Sequence, residues 1–94
     1  MPVRHLERVP PGGVSSRGVL LLLHAFPLNA RMWEPQLSLA VQGWRVIAPH
    51  LRGFADNSGG PPAASLADYA AGVIELLDEL HVPRAAVCGL SMGG

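Results

Sequence analysis

The sequence contains no lysine and a single cysteine, which excludes a lysine-dependent phosphate loop and a disulfide within these residues. Its seven basic residues are all arginines, scattered along the chain and balanced by seven acidic residues, so no surface for nucleic acid is predicted. A nucleotide-binding phosphate loop is excluded because it needs a lysine, and Gly-x-Gly-x-x-Gly after a strand is also missing. Cys88 has no cysteine to pair with, which fits a reducing compartment.

Long apolar runs are also missing. The longest, residues 19–23, ends at His24 and is far shorter than the roughly 20 residues that cross a bilayer. Residues 1–13 carry Arg4, Glu7, Arg8 and prolines where a signal peptide needs an unbroken apolar stretch. The four histidines lack the spacing of metal ligands. We therefore expect a cytoplasmic protein with no membrane association and no metal.

Short apolar runs bounded by glycine and proline alternate with helical patterns. The runs at residues 19–24, 44–48 and 85–88 are predicted to be buried strands. Because helical connections return the chain to the same end of a sheet, the order predicts an α/β fold: an open, mostly parallel sheet with flanking helices. No repeat or boundary divides residues 1–94, so one domain is expected, with its chemistry at the carboxyl ends of the strands.

Two helices are predicted between these strands. The first is capped by Asn29, has Pro35 in its first turn and ends at Gly43. The side chains expected on its buried face are Trp33, Leu37, Ala40 and Val41. The second helix starts after Ser65, which forms a capping box with Asp68. Its expected core face consists of Leu66, Tyr69, Ala70, Val73, Ile74, Leu77 and Leu80. Residues 50–64, rich in turn-forming types, are predicted to be a long functional loop.

The end of the chain, Gly89-Leu90-Ser91-Met92-Gly93-Gly94, places a serine between small residues directly after a predicted strand. Glycines two positions before and after a serine allow a sharp strand-to-helix turn that projects the hydroxyl into a cleft. A small-residue junction is the alternative for this motif on its own. The position after a buried strand favours a nucleophile at Ser91.

Together with two upstream stretches, residues 21–27 and 48–54, this motif resembles the first part of an α/β-hydrolase. Within that family the sequence is most similar to small carboxylesterases and enol-lactonases. The resemblance implies an acyl-enzyme mechanism without a cofactor, in which Ser91 is the nucleophile and the backbone amides of Phe26 and Met92 form the oxyanion hole. It implies Leu28 and Trp33 as residues of the substrate pocket. Epoxide hydrolases and haloalkane dehalogenases of the family use an aspartate nucleophile, so the serine favours attack on esters or lactones.

The sequence departs from the family pattern at three positions. Ala25 and Ala55 stand where glycine is usual, and His50 stands where aspartate is usual. The alanine at position 25 is expected to affect the oxyanion loop. The other two changes are expected to affect the anchoring of loops more than the chemistry.

The triad acid and histidine are missing from the sequence. In this fold they follow the serine, whereas all four histidines precede Ser91. We therefore predict that the 94 residues alone are inactive and that the activity belongs to the complete protein. The expected partner is a small-molecule ester or lactone, and the oligomeric state stays open. Acyl transfer, carbon–carbon bond hydrolysis and a non-catalytic fragment are the alternatives.

The remaining polar residues have simpler interpretations. His24 is expected to hold loops together by hydrogen bonds near the site. His5 is expected in the N-terminal segment, His50 in a loop and His81 at a helix end, where solvation is the default. Cys88 is expected to be a small core residue of its strand, and Trp33 has packing as its alternative role.

Overall fold

A computed structural model describes residues 4–25, 29–51 and 65–94, with Met92 described through its backbone only. Within these ranges it contains four strands: β1 (His5–Arg8), β2 (Gly18–Leu23), β3 (Trp44–Pro49) and β4 (Ala86–Gly89). One α-helix, α1, spans Leu66–Glu79, and a 3-10 helix spans Ala30–Gln42. Two short 3-10 turns lie at Pro11–Gly13 and Ser91–Gly93. Of the predicted long loop, residues 52–64 lie outside the described part.

The sheet has the strand order β1-β3-β2-β4. The strand β2 pairs in parallel with β3, from Gly18 opposite Trp44 to Leu21 opposite Ile47, and in parallel with β4. The strand β1 pairs with β3 in the antiparallel direction. The predicted mostly parallel sheet is confirmed, and β1 is an addition that the sequence did not indicate.

The two helices cover opposite faces of the sheet. Neighbouring side chains of a strand point to opposite sides, so each central strand contributes side chains to both layers. On one face Leu22 of β2 and Val46 of β3 pack with Leu37 of the Ala30–Gln42 helix. On the other face Leu21 and Ile47 pack with α1, whose buried side chains there are Val73 and Leu76. The end of β2, between the two layers, is therefore fixed by contacts on both faces.

The Ala30–Gln42 helix differs from the prediction in two respects. Asn29 caps it as predicted, since its Oδ1 accepts a hydrogen bond of 2.9 Å from the amide of Arg31. The helix therefore begins at Ala30, and Pro35 lies inside it, not in the first turn. Val41 is 74% exposed instead of buried. A 3-10 helix repeats every three residues, so Val41 is turned about 120° away from both Leu37 and Ala40.

The helix α1 begins as predicted, with the Ser65 hydroxyl accepting a 3.2 Å hydrogen bond from the amide of Asp68. Its core face is rotated from the predicted one: Gly72, Val73 and Leu76 are buried, whereas Leu66, Ala70 and Ile74 are exposed. Leu66 and Ile74, together with Val87 of β4, line an open apolar groove of about 450 Å³.

The strand β4 forms one edge of the described sheet, and its residues are exposed. The prediction that Cys88 is a core residue is therefore wrong, because among the described residues no layer covers the faces of this edge strand. Within the same ranges, none of the helices combines the length and apolarity needed to cross a membrane.

Candidate active site

Ser91 follows β4 directly, at the carboxyl end of the strand, and opens the short 3-10 turn Ser91–Gly93. Its φ angle is +55°, in the left-handed region that residues with a side chain rarely adopt. The residue is exposed. A serine held in this conformation after a parallel strand has its hydroxyl presented at the strand end, and such backbone strain clusters at functional sites.

Two glycines make this turn sterically possible. A Cβ atom at Gly89 would lie 2.7 Å from the backbone nitrogen of Gly94. A Cβ atom at Gly93 would lie 2.7 Å from the carbonyl carbon of Leu23 and 2.8 Å from the carbonyl oxygen of His24. Because backbone atoms cannot move aside as a flexible side chain can, both positions require glycine. The Ser91 turn is therefore pressed against the end of β2.

The backbone of the turn leaves a donor near the serine. The amide of Gly93 donates to the carbonyl of Leu90 at 3.0 Å, and this is the first hydrogen bond within the turn. The amide of Met92 precedes that bond, in the part of a helical turn whose N–H groups have no acceptor within the helix. This amide lies next to the serine in the chain, where an oxyanion formed at Ser91 would need a donor.

The imidazole of His24, directly after β2, is fully buried and bridges two loops. Its Nε2 accepts a 2.9 Å hydrogen bond from the amide of Leu51. The Nδ1 atom lies 3.1 Å from the carbonyl oxygen of Ala25. A nitrogen that accepts from an amide carries no proton, so the neutral ring donates to Ala25 through Nδ1–H. Both nitrogens are engaged, in agreement with the predicted structural role of this histidine.

Burial lowers the pKa of His24 below the ordinary value of 6.5, and the hydrogen bond with Ala25 opposes this only in part. The ring is consequently held neutral near pH 7. A neutral ring keeps the acceptor that binds the amide of Leu51.

His50, directly after β3, forms a matching bridge in the other direction. Its Nδ1 accepts a 3.1 Å hydrogen bond from the amide of Ala30, the first residue of the 3-10 helix. The ring is buried, and its hydrogen bond to Ala30 agrees with the expectation that the histidine at position 50 affects the anchoring of a loop. The sequence contained one signal for this contact: a histidine in place of an aspartate retains an acceptor for a backbone amide.

The other two histidines lie away from Ser91 in the fold. His5 is half-buried on β1, where its Nε2 is 3.0 Å from the Oε1 of Glu7. Glu7 also accepts a 2.6 Å hydrogen bond from Arg45 on β3. His81 is exposed at the end of α1. Within residues 4–25, 29–51 and 65–94, no three His, Cys, Asp or Glu side chains are grouped to bind a metal ion.

The remaining predicted site residues follow β2 in the sequence. Phe26 and Leu28 lie outside the described residues. Just before Phe26 in the chain, the amide of Ala25 donates to the sulfur of Met32 at 3.3 Å. Trp33 packs against the core cluster that contains Leu22, and its Nε1 is buried without a hydrogen-bond partner in the described part of the chain.

Comparison with known proteins identifies the family to which the fold belongs. Residues 18–94 match the family model described as alpha/beta hydrolase fold. The chain belongs to the α/β-hydrolase family. It is 32% identical over 82 residues to 3-oxoadipate enol-lactonase 2 of Acinetobacter baylyi, covering 87% of this chain and 31% of that protein. It is 36% identical over 83 residues to epoxide hydrolase 2 of Siraitia grosvenorii, covering 85% of this chain and 26% of that protein.

Among solved structures, a thermophilic esterase from Thermogutta terrifontis matches with a TM-score of 0.80 and 30% identity, over 97% of this chain and 32% of the esterase. The chain therefore spans about a quarter to a third of the length of these relatives. The relatives differ in the reaction that their names state.

Proposed function

We propose that this chain carries the nucleophile of a serine hydrolase that cleaves carboxylic esters or lactones through an acyl-enzyme. The observation that carries the proposal is the conformation of Ser91, exposed at a strand end with a φ of +55°. Gly89 and Gly93 hold this turn against the end of β2. This conformation, on a turn between a strand and a helix with glycines on both sides, is typical of a serine nucleophile in this fold.

In the proposed reaction the Ser91 oxygen attacks the carbonyl carbon, and the carbonyl oxygen becomes an oxyanion. The amides of Met92 and Phe26 donate hydrogen bonds to it. Loss of one such donor in comparable sites lowers turnover by about 10²–10³. The alcohol part of the ester leaves, and water then releases the acid from the serine. For the acyl part of the substrate, Leu28 and Trp33 are proposed as lining residues, the latter with a buried indole N–H.

The base that activates Ser91 is proposed to lie in the remaining part of the protein, as the order of the triad in this fold requires. Neither buried histidine fits that role. The ring of His24 has both nitrogens engaged, with Ala25 and Leu51. The ring of His50 uses Nδ1 for the amide of Ala30. An unactivated serine is a weak nucleophile, so the 94 residues alone are proposed to be inactive.

A fluorophosphonate probe tests both parts of this proposal. The complete protein should be labelled at Ser91, the Ser91→Ala variant should not, and the 94-residue chain should stay unlabelled. Labelling of another serine would contradict the assignment of the nucleophile. Stoichiometric labelling of the short chain would contradict its inactivity.

A panel of p-nitrophenyl esters, lactones and an epoxide identifies the reaction class. Turnover of esters or lactones with a trapped acyl-enzyme is the expected result. The relatives include an epoxide hydrolase, but a serine at position 91 favours acyl chemistry over epoxide opening by an aspartate. Product formation only with an added acceptor alcohol or thiol would favour an acyltransferase. Activity confined to a carbon–carbon bond substrate would favour a carbon–carbon bond hydrolase.

A further inference from the structure

Ala25 and Ala30, which flank residues 26–29 in the chain, each form a hydrogen bond with a buried imidazole. The carbonyl of Ala25 accepts from Nδ1 of His24 at 3.1 Å. The amide of Ala30 donates to Nδ1 of His50 at 3.1 Å. The two rings come from two different strand ends, those of β2 and β3. The ends of β2 and β3 are therefore connected by side-chain hydrogen bonds as well as by the pairing of the two strands.

The hydrogen bond to His50 gives the backbone amide of Ala30 an acceptor that it would otherwise lack in a buried position. Ala30 is fully buried and is the first residue of its helix, so its amide has no acceptor within the helix. Asn29 caps the next amide, that of Arg31, and does not serve Ala30. A buried amide without an acceptor costs about 1–3 kcal/mol, so His50 specifies where this residue lies.

The bond also selects one form of the His50 ring. An Nδ1 that accepts from an amide is unprotonated, so the neutral ring carries its proton on Nε2. His24 has the opposite arrangement, with the proton on Nδ1 and the acceptor at Nε2 facing the amide of Leu51. Each ring therefore accepts from a backbone amide of the loop that follows the other strand.

We infer that His50 is a positioning residue for the proposed oxyanion hole: its Nδ1 holds the amide of Ala30, four residues after Phe26 in the chain. This inference rests on the proposed function. The hydrogen bond comes from a neutral ring at a position where the family usually has an aspartate. The ring acts through the backbone and does not touch the substrate.

Two amide variants separate this role from a general effect on folding. His50→Asn places a carbonyl oxygen where Nδ1 stands, whereas His50→Gln places it near Nε2, too far along the side chain for Ala30. Both replace an imidazole by an uncharged amide, so they differ chiefly in the position of the acceptor. In the complete protein, hydrogen exchange of the Ala30 amide should be near wild type in His50→Asn and about tenfold faster in His50→Gln. Exchange at Leu51, which His24 holds, serves as the internal control.

In the complete protein the same pair is tested with p-nitrophenyl acetate. His50→Gln should lower kcat about tenfold to hundredfold with KM within about twofold, because a misplaced donor acts on the transition state. His50→Asn should restore kcat. Equal behaviour of the two variants in exchange and in kcat, in either direction, would overturn the inference. If the wild-type protein has no activity on any ester or lactone, the proposed function fails, whereas the exchange at Ala30 still shows whether His50 holds this amide.

Discussion

The carbonyl group of Leu23, at the end of β2, occupies the space in which a side chain at Gly93 would begin. The same carbonyl accepts a 3.2 Å hydrogen bond from the amide of Leu90. The end of the central strand and the Ser91 turn are thus in direct backbone contact. This contact fixes where the proposed nucleophile stands relative to the loop after β2.

Substitution of Gly93 by alanine tests this contact. The new methyl group would lie 2.7 Å from the carbonyl carbon of Leu23, so strand or turn must shift, at a cost of about 1–3 kcal/mol in the free energy of unfolding. Urea denaturation followed by circular dichroism measures this loss. Gly94→Ala is the matched control, because a Cβ atom there would lie 3.3 Å from the Ser91 carbonyl oxygen, a distance that a small adjustment relieves. Equal stability of the two variants would refute the contact.

Because φ of Ser91 is positive, we predict that its replacement by glycine raises the stability of the chain and abolishes the activity of the complete protein. Ser91→Gly should stabilise the chain by about 1 kcal/mol, since glycine adopts this conformation without a steric penalty. It should also abolish labelling by fluorophosphonate in the complete protein. His81, with a φ of +57° at the end of α1, is the control for the steric cost of a positive φ. His81→Gly should stabilise by a similar amount without loss of labelling, and destabilisation by both substitutions would contradict the strain.

The bridge between β1 and β3 should be worth more than an exposed ion pair. Arg45 donates to Glu7 at 2.6 Å, and both side chains are about a quarter exposed. A double-mutant cycle with Glu7→Gln and Arg45→Met is expected to give a coupling of roughly 1 kcal/mol at pH 7. The control cycle uses Arg31 and Glu34, a more exposed pair at 3.5 Å, and should give a coupling near zero.

The same bridge should weaken in acid. Burial raises the pKa of Glu7, but the hydrogen bonds and charges of Arg45 and His5 outweigh it and lower the pKa below 4.5. The stabilisation is therefore present above pH 4.5 and lost as the pH falls through the lower folded value. A coupling that is unchanged at pH 2 would contradict this assignment.

Acid should also destabilise the chain through His24. Its folded pKa lies below 6.5, so the unfolded chain binds the proton first as the pH falls. Stability is then full above about pH 6.5 and decreases below it, by at most about 1.4 kcal/mol per pH unit for one proton. The free energy of unfolding measured from pH 7.5 to pH 5 gives the slope. His24→Gln, which keeps an acceptor at the Nε2 position and does not titrate, should flatten it, and parallel curves would be the contrary result.

The three-residue repeat of the Ala30–Gln42 helix predicts that Leu37 contributes more to stability than Val41, four residues later. Leu37→Ala should destabilise by about 2–5 kcal/mol, because the side chain is buried against the sheet. Val41→Ala should change stability by less than about 0.5 kcal/mol, since that side chain is 74% exposed. Comparable losses at both positions would indicate an α-helical face instead. Thermal or urea denaturation of the two variants decides between them.

Much of the local structure could be predicted because its causes are local. Asn29 and Ser65 each bond an amide two or three residues ahead, so the starts of both helices depend on neighbours in the chain. The parallel strands follow from apolar runs separated by helical connections. The glycines around Ser91 were recognised because a sharp turn constrains residue type within a few positions.

The errors lie where the outcome depends on residues far away in sequence. The strand β1 exists because it pairs with β3, about 40 residues later, from His5 opposite Pro49 to Arg8 opposite Val46. Cys88 is apolar and lies in a strand, but exposure depends on what covers the strand, and apolarity alone does not determine that. The rotated core face of α1 likewise depends on where the sheet lies beneath it.

The amino-acid sequence alone thus determined the α/β order, both helix caps and the serine between glycines at a strand end, since each follows from interactions within a few residues. Only the tertiary structure decided that the Ser91 turn packs on Leu23 and that His24 and His50 each bind an amide of the other's loop. Those contacts join segments about 20 to 70 residues apart, and a hydrogen bond or a steric limit between such segments exists only once the chain has brought them together.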